Sequence, residues 1–434
     1  MTSAARVMMV KRVLASRRKK LRPVLSLFDA TAISIGSIIG AGIFVIIGVS
    51  AGLSGPSVVL SVILALAASM LTAITMVQLS GKVRRSGGVY AYAREGVSHF
   101  AGFIVGWLWV ASNVTAGATV ALGFAHYLNA FFPVIPITYG ALSAAALIIL
   151  VNLAGMKDSS RLNNVLVVLK VLILLFFAIG SFFFFKPGNF VPFMPKGIPG
   201  MLAGAAVIMF AFGGFARVAV VSDEVKNAKR NVPKAILISL IISAAIYVLV
   251  ALAAVGAVGY ERLSASASPL ADVMDFIGLP WGASLVAIGA LIATLSVLLG
   301  SVLGVSRVIF EMANDCEIPS GLGSVGRKTC TPYASIIATG VGIVLLVIFS
   351  NLLAVAYFSS FAMLFYYIMA NLAGMRLLKD RFSSRIIAGL GCALCGVLLF
   401  TFPLKTWLTI LIVVLAGIVY RFLMKQPLLH KMSQ

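Results

Sequence analysis

The chain has 434 residues, of which 61% are hydrophobic and only 11% charged, with a formal net charge of +22 and a mean hydropathy of +1.10. A soluble domain carries roughly a quarter charged residues, so this composition excludes a soluble enzyme and requires lipid around most of the chain. The excess of Lys and Arg falls in the connections between apolar runs, which argues for a topology signal and against nucleic-acid binding.

A spanning helix needs about 20 mostly apolar residues, and no alternating strand pattern competes with that reading. Apolar runs predict twelve transmembrane helices, near 27–50, 56–80, 99–128, 137–154, 162–185, 200–222, 235–258, 283–310, 332–350, 352–378, 385–402 and 406–423. The expected fold class is an all-α polytopic membrane protein. The basic arm at 1–25 resembles a signal peptide only superficially, because the apolar stretch behind it runs on without a small-residue cleavage site. With that arm inside, only Lys186, Lys196, Arg262 and Lys405 fall in outer loops, and Lys170 and Arg217 fall within spans. The remaining basic residues lie inside, which predicts a cell-membrane protein with both termini cytoplasmic. Lys11 to Arg22 could also touch anionic head groups of the bilayer.

In the first span, Gly36-Ser-Ile-Ile-Gly40-Ala-Gly42 packs three glycines into seven residues. Each costs a helix interior about 1 kcal/mol relative to Ala, so this span can unwind near its middle. The same residues also suit close helix packing of the GxxxG kind, and spacing alone leaves both readings open. The sixth span carries a matching interruption, Phe210-Ala-Phe-Gly213-Gly214-Phe215. Interruptions five spans apart point to inverted repeats around a midplane site. The boundaries are 1–25 for the basic arm, 26–186 for the first repeat and 198–380 for the second. The last two spans occupy 384–424, and a cytoplasmic tail 425–434 follows.

Lys170 sits in the fifth span with at least five apolar residues on either side. Inserting an ammonium at a helix centre costs about 2.5–3.5 kcal/mol, and neutralising it at pH 7 roughly 4.6 kcal/mol. The two are comparable, so the side chain is poised to change protonation as its surroundings open and close; the plainer alternative is a structural lysine. Arg217 is a second intramembrane cation, able to favour an anionic substrate side chain or to pair with Glu224, two turns on. The external loop Gly259–Gly278 is either a short helix over the pathway or a solvated connector. Cys392 and Cys395 form a CxxC within an apolar run, with no second pair, and read as packing; no metal site is expected. His99, His126 and His430 are scattered, and no nucleophile–base grouping indicates an enzyme.

Gly36-Ser-Ile-Ile-Gly-Ala-Gly-Ile-Phe44 resembles the first-helix motif of the amino acid–polyamine–organocation (APC) superfamily. Phe210-Ala-Phe-Gly-Gly-Phe215 with Asp223-Glu-Val-Lys-Asn-Ala-Lys-Arg-Asn-Val-Pro-Lys234 is similar to its sixth helix and following loop. Ser86-Gly-Gly-Val-Tyr-Ala-Tyr-Ala-Arg-Glu95 resembles the loop after helix two, and Ser306-Arg-Val-Ile-Phe-Glu-Met-Ala-Asn-Asp315 the end of helix eight. The likeness is to proton-coupled prokaryotic amino acid transporters of broad specificity. It implies the leucine-transporter-type fold, five helices plus five in inverted topology with two appended. It also implies a substrate site at the unwound stretch from Ile38 through Ile39, Gly40, Ala41 and Gly42. There the amides of Ala41 and Gly42 would take the carboxylate. Carbonyls around Ile38 and at Phe210, Ala211 and Gly213 would take the ammonium, with Phe212 and Phe215 as gating or packing aromatics. Some proton-coupled members have a lysine where Lys170 stands, which implies reach to Gly36, Ile39, Ala293 and Ser296. Arg217 departs from the family, which usually has a small residue there.

The expected function is secondary active transport of amino acids by alternating access, coupled to protons in preference to sodium and without a cofactor. Exchange, or a non-transporting receptor on the same fold, is the alternative. Backbone recognition reads only the amino acid head group, so no side-chain preference follows from it.

Overall fold

The computed structural model describes residues 25–83, 88–154, 159–215, 217–220, 225–326, 331–378 and 382–432. Among them the regular structure is helical, apart from an isolated bridge between Leu25 and Val225. Eight stretches are long and apolar enough to cross a membrane, the first of which, Leu27–Lys82, holds the first two expected spans. Three shorter apolar helices, Ile137–Leu153, Gly197–Phe212 and Tyr333–Phe349, coincide with the expected fourth, sixth and ninth.

Helix α1 (Leu27–Ile38) opens on a capping box, in which Asp29 N donates to Ser26 Oγ at 3.2 Å and Ser26 N donates to Asp29 Oδ2 at 2.8 Å. Asn164 of α7 also donates to Asp29, at 2.7 Å, which ties the start of α1 to its neighbour. The helix stops at Ile38: Ile39 is extended (φ −74°, ψ 103°), and the chain resumes in a π-helical turn, Gly42–Ile46, that runs into α2 (Ile47–Ser54). There follow α3 (Val58–Lys82), α4 (Val89–Gly96), α5 (His99–Phe131), α6 (Ile137–Ala154), α7 (Ser159–Phe182) and α8 (Gly197–Phe212). Beyond a turn at 213–215 come α9 (Arg217–Val220), α10 (Ala228–Val258), α11 (Tyr260–Ala265), α12 (Pro269–Phe276) and α13 (Pro280–Asn314). The chain closes with α14 (Tyr333–Phe349), α15 (Leu352–Leu377), α16 (Phe382–Leu399) and α17 (Leu404–Met432).

Two loops of the sequence reading turn out to be folded. The segment after the second span forms α4, with Val89 to Ala93 buried. Its Arg94 donates to Asp315 Oδ2 at 2.9 Å and to Tyr90 Oη at 2.6 Å, so two of the family-like motifs meet at one end of the bundle. The stretch Gly259–Gly278 is no solvated connector. It holds α11 and α12, which bury Leu263, Leu270, Val273 and Met274 over the π-turn of the first span. A Cβ on Gly48 would come within 2.7 Å of the Leu263 carbonyl, so this cover is in close contact.

The interrupted helices α1 and α8 lie at the centre. Helices α7, α10 and α13 pack around α1, while α3, α2 and α15 pack around α8. On α7 the division between lipid and core is plain: Val165, Leu172 and Ile179, seven residues apart, form an exposed apolar stripe, and Lys170 is wholly buried. Cys395 is also buried, its Sγ 3.9 Å from Thr72 Oγ1, and Cys316 is exposed. Cys330 lies outside the described residues.

Candidate functional site

Stopping a helix inside a bundle bares peptide groups that must find partners, because no water reaches them in hydrocarbon. At the end of α1 the carbonyls are met by two side chains. Tyr247 of α10, fully buried, directs its hydroxyl at Ile38 O (2.9 Å) and at Ala211 O (3.3 Å), one carbonyl from each interrupted helix. Lys170 Nζ donates to Gly36 O (3.0 Å), Ile39 O (3.1 Å) and Ser296 Oγ (2.8 Å). An ammonium carries three donors and here has three acceptors. Ala293 takes part at one remove, its carbonyl accepting from Ser296 Oγ at 3.1 Å. Farther along the first span, Tyr127 Oη donates to Phe44 O at 2.5 Å and so serves a carbonyl of the π-turn.

These bonds give a first expected outcome. Tyr247→Phe keeps the ring packed on Phe212 (5.3 Å between centroids) but leaves two buried carbonyls without their hydroxyl. Its unfolding in detergent, followed by intrinsic fluorescence against denaturant, is expected to show a loss of about 1–3 kcal/mol.

The two interruptions cross backbone on backbone. A Cβ at Gly214 would lie 2.1 Å from Ser37 O and 2.2 Å from its carbonyl carbon; one at Gly42 would lie 2.3 Å from Ala211 Cβ. Only glycine permits this approach. Past the crossing, Ala41 and Gly42 open the π-turn, where first-turn N–H groups have no acceptor within their own helix and attract negative charge.

A cavity lies at this crossing. Its wall takes Ser37, Ile38, Gly40, Ala41 and Gly42 from the first span and Phe210, Gly213, Gly214 and Arg217 from the sixth. Helix α5 adds Ser112, Asn113, Ala116 and Val120; α13 adds Val297 and Ser301; α15 adds Ser359 and Met363. Arg217 leans toward α13, donating from Nη2 to Ser301 Oγ at 2.5 Å and from Nη1 to Val297 O at 3.3 Å.

Of the residues singled out in the sequence, Ile38, Gly40, Ala41, Gly42, Phe210, Gly213 and Arg217 thus stand together in the wall. Ile39, Ala211, Phe212 and Phe215 do not. The carbonyls of Ile39 and Ala211 are turned to Lys170 and Tyr247, while Phe212 and Phe215 are buried against Tyr247 and Tyr367 as packing rings. The carbonyl of Ile38 already accepts from Tyr247, so an incoming ammonium would share it through its second lone pair. The pairing of Arg217 with Glu224 lies outside the described residues. Sequence reasoning missed the contributions of α5, α13 and α15. Their available signal was polar residues on otherwise apolar runs, Ser112-Asn113 and Ser359-Ser360.

The fold is thus a membrane-type helical bundle in which two interrupted helices cross at a cavity of mixed polar and apolar lining. Residues 25–428 match the family described as "Amino acid permease", and the chain belongs to that family. Among its relatives, an uncharacterized transporter of Mycobacterium tuberculosis is 33% identical over 395 residues, covering 89% of this chain and 88% of the relative. A branched-chain amino acid permease of Bacillus subtilis is 31% identical over 340 residues, covering 74% and 73%. A methylthioribose transporter of the same organism is 32% identical over 446 residues, covering 96% of each chain.

Proposed function

We propose that this protein carries amino acids across the cell membrane by alternating access, as a proton-coupled symporter with both termini in the cytoplasm. The observation that carries the reading is the crossing of α1 and α8 at their interruptions. First-turn amides at Ala41 and Gly42 suit a carboxylate, and Ile38, Phe210 and Gly213 of the same wall bring backbone carbonyls of the opposite polarity. Twelve spans in two inverted sets of five, with two appended, fit the eight long and three short apolar helices once Leu27–Lys82 is divided at its turn. Packing supports the repeat: α1 leans on α7 as α8 leans on α15, each the first and last span of its set.

Coupling is assigned to Lys170. Its ammonium pins the end of α1 to α7 and α13 through three bonds. Loss of its proton would leave fewer donors than acceptors and free α1 to move. Substrate and proton would then travel together because both act on the same unwound stretch. Counterflow in proteoliposomes, with a panel of labelled amino acids at several pH values, is the test. The reading requires saturable counterflow of at least one amino acid, and accumulation driven by an inside-alkaline gradient without internal substrate. Uptake that requires internal substrate and ignores the gradient would establish exchange; binding without uptake would establish a receptor.

A further inference from the structure

We propose that Arg217 is an anion anchor in the substrate cavity and that the amino acids this protein takes best carry a second carboxylate. The inference rests on the transport reading above and names its substrate class. Arg217 begins α9, directly after the interruption of the sixth span, and its side chain lines the cavity. A guanidinium has five N–H donors in a fixed fork. Two of its nitrogens meet partners here, Ser301 Oγ and the Val297 carbonyl, both neutral and both on α13. Among the described residues the cavity wall holds no carboxylate, and none pairs with Arg217. Gly300 leaves room beneath the fork, since a Cβ there would lie 3.1 Å from Nη1.

Charge bookkeeping then separates the ligands. A guanidinium whose partners in the cavity are neutral favours an anionic ligand there. A neutral zwitterion leaves the charge of the cavity unchanged, a cationic amino acid adds to it, and a ligand of net negative charge offsets it. The head-group carboxylate is drawn to the amides of Ala41 and Gly42 on the first span, which leaves the Arg217 fork for a second carboxylate, its planar bidentate match. Lys170 does not compete for it, because its three donors face Gly36, Ile39 and Ser296 and it is no part of the wall. Ser112, Asn113 and Ser359 offer neutral polar contacts, with Phe210, Val120 and Met363 around the aliphatic part.

The experiment is competitive counterflow in proteoliposomes with glutamate against glutamine and aspartate against asparagine, pairs that differ in charge at nearly constant shape. The wild type is expected to prefer the acid by at least about tenfold, the effect of one charge-assisted contact. Arg217→Gln is expected to bring that ratio close to one while keeping amide uptake, and Arg217→Lys to retain part of it. Amides taken as well as acids by the wild type would overturn the proposal, whether or not the variants fold. So would an Arg217→Gln protein that loses acid and amide uptake equally, since Arg217 would then serve the head group or the fold. Neutral amino acids exchanging while acids do not would sink this inference alone. No exchange of any amino acid would sink the transport reading and this inference with it.

Discussion

Lys170→Ala is expected to abolish accumulation driven by a pH gradient while leaving counterflow of the same substrate measurable. The side chain is wholly buried, and its three bonds join α7 to the last turn of α1, to the unwound Ile39 and to α13. Under the proposed coupling, alanine removes the proton carrier and the pin together. The carbonyls of Gly36 and Ile39 would lose a charged donor each, worth roughly 1.5–3 kcal/mol per bond, offset in part because an ammonium no longer has to be held in the bilayer. The conformational equilibrium of the first span therefore loses its dependence on protons before the fold loses its integrity. Accumulation driven by an inside-alkaline gradient is expected to fall to the level of protein-free liposomes. Counterflow needs no proton gradient and is expected to persist with a flattened pH profile. An unchanged gradient-driven accumulation would make Lys170 a structural lysine.

Gly214→Ala is expected to have the largest effect on the site itself. Its added methyl would meet backbone, Ser37 O at 2.1 Å and Ile38 N at 2.6 Å, and backbone in a crossing cannot rotate away as a side chain does. Overpacking typically costs 1–3 kcal/mol, and here it also separates the two interruptions, which spoils the positions of the amides and carbonyls together. Counterflow is expected to drop below detection, with the unfolding midpoint in detergent lowered. Gly389→Ala offers a control, since a methyl there meets only Met375 Cε at 4.0 Å. It is expected to behave as the wild type in both assays. Normal counterflow by the Gly214→Ala protein would mean that the crossing is not the site.

The sequence spoke clearly where a single residue type has one physical meaning. Long apolar runs and a lone buried lysine can be read without tertiary context, and clustered glycines mark a weak point in a helix. They do not say which glycine does what. Gly36 stays helical and serves packing, since a methyl there would lie 2.9 Å from both Asn163 and Val167, whereas the chain unwinds after Ile38. Both readings of the motif therefore hold, at different positions. Tyr247 was not legible as the partner of Ile38 and Ala211, because a tyrosine in an apolar helix reads as packing until the fold brings it to a bared carbonyl. The wall from α5 stayed hidden for a related reason. Hydroxyls and amides in a spanning helix commonly bond back to their own backbone, as Thr115, Thr119 and Asn113 do here, so their presence does not reveal a cavity. Helix α4 was masked by the Ser-Gly-Gly that precedes it, which reads as a turn.

The most direct measurement is an experimental structure with a transported amino acid bound. The account requires its carboxylate within hydrogen-bond distance of the amides of Ala41 or Gly42, and its ammonium at carbonyls of the sixth span between Phe210 and Gly213. A substrate seated away from the two interruptions, or first and sixth spans wound continuously through the bilayer, would contradict it.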